Sequence, residues 1–530
     1  MGPYEERFAA LFGPEYQAFS FWKGRVALYA ILKALDLGEK DEVILPGYTC
    51  VVVPNAIRFA GAKPVFADIA SGQYNLDPLQ AEQLVTRQTR ALIIQHTYGI
   101  PADMGPLRVL AEKSELNLIE DCAHVLVGSR YQGKLLGSFG RAAFFSSQWS
   151  KPYTTGLGGM VITRDKELAK KLRTIQAMFR NPPVEKRLQL QIQYSLYHHL
   201  FKPSLYWFAQ NSLNALSRYG LFVGSSNSAE LTGEEPADMR WRMSDFQKRT
   251  GLAEVEKLKE NSNHRRLIAK YYTSSLRQHG WSLDGNLDSE SENVRLLRFP
   301  IQVTSKASLM AKSRRAHIEI GNWFNTPLHP ISLSEHFMIN YRLGCCPNAE
   351  TTAAKVINLP LHERVTQADA EKIVGFVLSH TAPAPIQPLS SKKRSAARSR
   401  FNEPSWSLDD GYKLSGAREL GPAGDNFENG FTGMHRKLLR ASIIQVASEQ
   451  VSCDLAGEAV ILSLKSEQYF GLNEMGARIW NLIQEPRTVG AVLDAVLEEY
   501  DVALDQLEPD LFALLEEMAN KELIEVEESA

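Results

Sequence analysis

The sequence predicts a multidomain α/β protein followed by a separate, smaller C-terminal module, and three observations predict it. Up to about residue 380, short β-branched runs alternate with helical stretches, the pattern of an α/β fold. From Thr381 the composition turns to Pro, Ser and basic residues, and from residue 435 a compact, patterned sequence resumes. At 530 residues and 59.4 kDa the chain is too long for one ordinary domain of roughly 100–200 residues.

Five strand-like runs follow one another in the first part: DEVILP (41–46), KPVFADI (63–69), RALIIQHTYG (90–99), LNLIEDCAH (116–124) and AAFFSSQWSK (142–151). Each ends in a loop loaded with polar groups, and ligands of open α/β sheets sit beyond the carboxyl ends of parallel strands. The stretch 381–434 opens with TAPAPIQPLSSKKRSAARSR and buries too little apolar surface to offset its ordering entropy, so it is predicted to be a flexible linker. Its basic cluster (Lys392, Lys393, Arg394, Arg398, Arg400) reads as the solvated part of a tether. In residues 435–530 the alternation in AVILSLKSEQYFGL predicts a hairpin, and TVGAVLDAVLEEYDV and LEPDLFALLEEMANKELIEVEE predict helices with acidic outer faces, a three-stranded, three-helix unit.

Bulk properties narrow the function. Lys and Arg total 59 against 61 Asp and Glu, a net charge of −2, which favours neither a nucleic-acid binder nor an acidic tail. No run approaches the ~18 apolar residues that span a bilayer, and the start MGPYEERFAALFG has no basic region followed by an apolar core. Neither an integral membrane protein nor a Sec-secreted one is expected. The five cysteines are scattered, odd in number and without metal-site spacing. A reducing cytoplasm and no metal site are expected.

Two of the strand ends carry chemistry. Glu120-Asp121 closes an apolar strand, where a buried carboxylate calls for a cationic partner such as a pyridinium proton. Lys151 follows a short strand within FFSSQWSKPYTTGLGG, a Ser/Thr/Gly-rich turn suited to a phosphate, where a lowered pKa would make the amine a nucleophile. Taken singly, each has an ordinary structural explanation, as a helix cap or a solvated lysine.

Their order and spacing resemble those of the DegT/DnrJ-type sugar aminotransferases over most of residues 20–380. The matching stretches are GRVALYAILKAL, DEVILPGYT, GAKPVFADI, YNLDP, HTYGIPADM, LNLIEDCAH, GSFGRAAFFSS, KPYTTGLGGMVITRD, RWRMSDFQ and LPLHERVT. The resemblance implies an aspartate-aminotransferase fold (fold type I) with a large domain of about 20–235 and a small one of about 236–380. It implies pyridoxal 5′-phosphate as cofactor, Lys151 as the lysine that carries it, Asp121 as the partner of its pyridine nitrogen, His124 beside it and Ser146 on its phosphate. It also implies a homodimer and small-molecule substrates: an amino-acid donor resembling glutamate and a keto-sugar acceptor, nucleotide-linked, for polysaccharide or glycoconjugate synthesis. Lys151 in place of His argues against the related dehydratases.

Departures from the family pattern are specific. Gly24-Arg25 replaces the usual Gly-Thr or Ser-Thr at the phosphate, where a guanidinium still serves as a bidentate donor. Cys50 replaces the aromatic that stacks on the cofactor, leaving Tyr48 as the candidate ring. Arg240-Trp241-Arg242-Met243 stands for Asn-Tyr-Arg-Met, the run that reaches the partner subunit's phosphate, and Leu157 removes a charge from the TTGEGG turn. His329 sits where the family often has a substrate-side histidine. The aromatic-rich stretch 196–224 is expected to pack on its own domain or on the dimer partner in preference to a membrane surface.

The string AVILSLKSEQYFGLNEMGARIWNLI resembles the PqqD-like domains, which implies a winged-helix-like α+β module that captures a peptide as an added strand. Tyr469 and Trp480 are read as core residues there. Its acidic excess disfavours DNA. Two further readings stand beside the sugar aminotransferase: a peptide-modifying enzyme recruited through this module, and a non-catalytic binding homologue. Retention of Asp121 and Lys151 weighs against the last.

Overall fold

The computed structural model describes residues 2–200, 234–283, 295–384, 439–447, 450–455, 458–463, 468–472, 474–499 and 504–527. The expected linker, from 385 onward, and most of the aromatic-rich stretch, 201–224, lie outside the described residues. The chain forms two compact units, Met1–Pro388 and Leu389–Ala530.

The first unit is built on a seven-stranded sheet: β1 (Gln17–Phe21), β2 (Glu42–Pro46), β3 (Lys63–Ala67), β4 (Thr89–Gln95), β5 (Asn117–Asp121), β6 (Ala142–Ser146) and β7 (Gly159–Thr163). Their spatial order is β1-β7-β6-β5-β4-β2-β3. Strands β2 to β6 pair in parallel, and β7 runs antiparallel to both β6 and β1. Two reversals restore direction, so β1 also delivers its carboxyl end to the edge where β5 and β6 end. Every residue of β2, β6 and β7 is buried, which requires helices on both faces of the sheet and explains the unbroken apolar runs. The helix Gly24–Ala34 is buried almost all round, an interior helix that packs on β7 and β6 and on the helices Val52–Ala60 and Lys166–Met178.

Helix starts follow local chemistry. Asp165 accepts from the N–H groups of Glu167 (2.9 Å) and Leu168 (3.0 Å), and Ser244 with Gln247, and Thr366 with Asp369, form capping boxes. Beyond residue 295, β8 (Arg298–Gln302) pairs antiparallel with β9 (Val356–Pro360). The helices Leu258–Gln278 and Gln367–His380 pack together, and the Tyr272 hydroxyl donates to the Pro360 carbonyl at 3.1 Å. On the helix Val184–Leu200, Val184, Leu188, Ile192 and Leu196 form an exposed apolar stripe at four-residue spacing.

In the second unit, β10 (Ile443–Val446) lies between Arg487–Thr488 and Ile524–Glu527, and β11 (Gln450–Leu455), β12 (Glu458–Ser463) and β13 (Gln468–Leu472) form an antiparallel sheet. The expected hairpin is β12–β13, with Ser463 opposite Gln468. Helices Glu474–Leu482, Val489–Glu499 and Leu504–Asn520 close a core containing Ile444, Ile461, Trp480, Leu493 and Leu515. The described residues thus hold two three-stranded sheets where one was expected. The helical reading of LEPDLFALLEEMANKELIEVEE ends at Asn520, because Glu522 adopts a positive φ (55°) that turns the chain into the strand Ile524–Glu527. No helix of the described residues is long and apolar enough to cross a membrane.

Candidate active site

The carboxyl edge of the large sheet gathers most of the predicted residues. Asp121 ends β5, paired with Gln95 on one side and Phe144 on the other. Ser146 ends β6 opposite Gly159, and Gly159 pairs with Phe21, the last residue of β1. Gly159 has to be glycine, because a Cβ there would lie 2.2 Å from the Lys23 carbonyl oxygen. This close approach sets the helix Gly24–Ala34 against Ser146: a Cβ on Gly24 would meet the Ser146 Oγ at 3.1 Å. The first amides of a buried helix therefore lie beside a serine hydroxyl, with Arg25 in the first turn, an arrangement suited to an anion.

Asp121 is buried, and its Oδ1 accepts from the Ala123 N–H at 2.9 Å. Among the described residues it makes no ion pair, and burial pushes its carboxyl up to about 6. Burial likewise brings the Lys151 amine down to about 8. Cys50 and Asp121 act on that amine to raise its pKa, whereas Arg298 and Arg25 lower it. His124 is held well below its ordinary value, chiefly by burial and then by the charges of Lys151, Arg298 and His329. It is neutral, and its Nδ1 accepts from the Tyr98 N–H at 3.2 Å. A buried carboxylate awaiting a cation, a deprotonatable amine and a neutral imidazole thus share one cleft.

The segment 321–331 supplies what sequence reasoning missed. Trp323 stacks on His124 (centroids 5.3 Å apart, planes at 19°), and the Lys151 Nζ lies 4.7 Å from the same indole. The Cζ of Arg298 is 4.4 Å from it. An aromatic pair just ahead of NTPLHP is the only trace these residues leave in the sequence. Tyr48, the ring offered in place of the one missing at position 50, is fully buried, edge-on to Phe324, with its hydroxyl 2.7 Å from that of Tyr98. His329 hydrogen-bonds Asn325 through Nδ1, and its backbone pairs in parallel with Cys50. Burial takes its imidazole down to about 3.

The altered turn is built inward: Thr155 Oγ1 donates to the Leu157 carbonyl at 2.6 Å and lies 2.8 Å from Ser147 Oγ. Arg240 stands outside this cluster, with an exposed side chain paired to Glu235 at 3.2 Å. Beneath the site, His96, Glu120 and Cys122 converge. Glu120 accepts from the N–H groups of Gly137 (2.7 Å), Phe139 (2.6 Å) and Gly140 (2.8 Å), and His96 accepts through Nδ1 from Ala102 (3.1 Å) while its Nε2 lies 3.2 Å from Glu120. These donors and acceptors are spent on holding the loops after β4 and β5.

The model of the DegT/DnrJ/EryC1/StrS aminotransferase family matches residues 2–378. The chain belongs to that family. Pyridoxal 5′-phosphate is accordingly its cofactor and transamination its class of reaction. A GDP-perosamine synthase of Caulobacter vibrioides is 28% identical over 375 residues, 70% of this chain and 87% of that protein. One of Escherichia coli O157:H7 is 41% identical over 165 residues, 31% of this chain, and the matched stretch spans only 45% of that relative. Among solved structures, S. venezuelae DesV superimposes with a TM-score of 0.54 at 24% identity, covering 72% of this chain and 89% of DesV, a likeness of fold. The model of coenzyme PQQ synthesis protein D (PqqD) matches residues 458–524 of this aminotransferase-family chain. The fold type I architecture and the appended PqqD-type module expected from the sequence are both present.

Proposed function

We propose that this chain transfers an amino group from an amino acid, with L-glutamate the leading donor, to a keto sugar carried on a nucleotide, in the cytoplasmic synthesis of a polysaccharide or glycoconjugate. The observation that carries this reading is the meeting of Asp121, His124, Ser146 and Lys151 at one sheet edge. A relative that spans most of the family region, named GDP-perosamine synthase, supports the sugar acceptor.

When bound, pyridoxal phosphate supplies an electron sink conjugated to the substrate Cα. Asp121 holds a proton on the pyridine nitrogen, since an uncompensated buried carboxylate is stabilised by that cation. Gly24, Arg25 and Ser146 bind the phosphate. His124 and Trp323 bound one face of the cleft and exclude water. Lys151 would hold the cofactor through its amine and, once freed by the donor, would take the proton from the substrate Cα and give it back. An amine with a pKa of about 8 is suited to accept and return that proton near neutral pH. The sites are completed across a homodimer, with Arg240 reaching the neighbour's phosphate.

The absorption spectrum of the purified protein, before and after L-glutamate, tests the proposal. A visible band that shifts with glutamate, and that is absent or unresponsive in Lys151→Ala, is expected. Failure to bind pyridoxal phosphate sinks it. The PqqD match favours one further reading, that the second unit, taken as about 435–530 beyond a linker of 381–434, binds a peptide that the aminotransferase modifies. A small precursor-peptide gene beside this one, with peptide binding to the full chain, would select that reading over sugar-nucleotide genes and free keto sugars.

A further inference from the structure

Arg298 opens β8, and its guanidinium lies on Trp323 with Cζ 4.4 Å from the ring centroid. The Lys151 Nζ is 4.7 Å from the same ring, so the reactive amine and the guanidinium both lie against one indole. Gly321 makes room for it: a Cβ there would lie 2.6 Å from Arg298 Nη1.

Neighbouring cations already have structural tasks. Lys23 pairs with Asp238 at 2.6 Å, Arg265 donates to Asn261 Oδ1 (2.6 Å) and the Leu297 carbonyl (2.8 Å), and Lys306 donates to the carbonyls of Phe324 (3.1 Å) and Ala353 (2.6 Å). Arg298 makes no ion pair among the described residues, and its buried Nε has no hydrogen-bond partner. Its charge bears on Lys151, His124 and His329, lowering the proton affinity of each. A half-buried guanidinium with no counter-charge is costly unless a ligand provides one.

We infer that Arg298, laid on Trp323, receives the α-carboxylate of the amino donor. A guanidinium presents a planar fork of donors that matches a carboxylate. The distance relation selects the donor over the acceptor. An amino acid's carboxylate is one bond from the Cα whose amine has to reach Lys151, so both ends fit beside a single indole. The phosphates of a nucleotide sugar are separated from the reacting carbon by the sugar ring. The inference rests on the aminotransferase reading above.

Holoenzyme of the wild type, Arg298→Met, Arg298→Lys and Gly321→Ala decides it. Calorimetric titration with glutarate, an unreactive dicarboxylate, reads binding without turnover, and the cofactor's absorbance change reads half-saturation by L-glutamate. Arg298→Met is expected to weaken both by roughly 10- to 100-fold, the size of a lost bidentate charge-assisted pair, with the cofactor still bound and acceptor KM within about twofold. Arg298→Lys recovers part of the loss. Gly321→Ala, which crowds Nη1 and keeps the charge, moves both readouts in the same direction and serves if Arg298→Met does not fold. Unchanged donor and glutarate affinity, or a rise in acceptor KM instead, overturns the assignment while leaving the aminotransferase intact. A wild type whose spectrum responds to no amino acid overturns both.

Discussion

The Tyr98 hydroxyl donates to the main-chain carbonyl of Trp323 at 2.5 Å. The same oxygen accepts from the Phe324 N–H at 3.1 Å and lies 2.7 Å from the Tyr48 hydroxyl. One tyrosine on the loop after β4 thereby fixes the backbone of the segment that carries the indole under Lys151. Tyr98→Phe removes the hydroxyl that donates to the Trp323 carbonyl and leaves the Phe324 N–H only its longer, 3.5 Å contact with the Tyr48 hydroxyl. It is expected to cost about 1–3 kcal/mol in denaturant unfolding and to weaken cofactor binding several-fold, because the indole loses its anchor. Tyr48→Phe, which removes a hydroxyl bonded chiefly to Tyr98, is expected to cost about 1 kcal/mol with little change in cofactor affinity. Equal effects of the two on cofactor affinity would count against this hierarchy.

Asp121 gives a pH signature in the cofactor-free protein. Burial raises its carboxyl from an ordinary 3.8 to about 6, so between those values the native state keeps a proton that the unfolded chain has released. Stability is fully present below the unfolded value and declines as pH rises through about 6. Asp121→Asn removes the penalty. Its apoprotein should melt with the wild type near pH 4 and above it at pH 7, while its affinity for pyridoxal phosphate falls by at least about tenfold. Superimposable melting profiles at both pH values would show that Asp121 is not strained in the empty cleft.

Lys23 and Asp238 join two elements that meet just before the helix Gly24–Ala34. Their ion pair is 2.6 Å long, with side chains only 5% and 11% exposed, and burial takes the lysine down to about 8 despite its partner. Lys23→Met removes the ion-pair partner of buried Asp238 and leaves it the charge of Arg25, at an expected cost of about 3 kcal/mol. Lys23→Met with Asp238→Leu should cost clearly less than the single change, because no orphaned charge remains. A double-mutant cycle on unfolding free energies measures the difference; additivity would refute the coupling.

What the sequence disclosed and what it concealed divide along physical lines. Each of the five predicted runs overlaps one strand of the large sheet, since parallel strands covered on both faces are unbroken apolar runs. The edge strand β1 and the antiparallel β7 were not singled out, although β7 stands in a family-like stretch; neither has a local signal that separates it from the helix beside it. Asp121, Ser146 and Lys151 could be nominated from the sequence because the proposed chemistry is suggested by their neighbours along the chain. Trp323 and Arg298 were not, because they reach the cleft from a segment about 170 and 150 residues beyond Lys151, and only folding brings those distances to contact range. Tyr48 was nominated as the ring from sequence proximity, whereas the fold commits it to Tyr98 and Phe324. In the second unit the hairpin was legible from its alternation, while the strand Ile524–Glu527 was masked by helical neighbours.

Arg240 bears on the assembly. Its side chain is 63% exposed, pairs with Glu235 at 3.2 Å and interacts with the Tyr29 hydroxyl, although it stands in the run that the family resemblance directs to the partner's phosphate. If it acts across the dimer, a chain lacking Lys151 still supplies a good arginine, and a chain lacking Arg240 still supplies a good lysine. Mixing Lys151→Ala with Arg240→Ala, after denaturation and refolding together, then builds one native site in each mixed dimer. With random pairing half the dimers are mixed, so activity should return to roughly a quarter of the wild-type level per chain, from parents that are each nearly inactive. If Arg240 instead served its own chain, every site in the mixture would lack one of the two residues and mixing would restore nothing. An Arg240→Ala parent that is fully active would remove the residue from the site altogether.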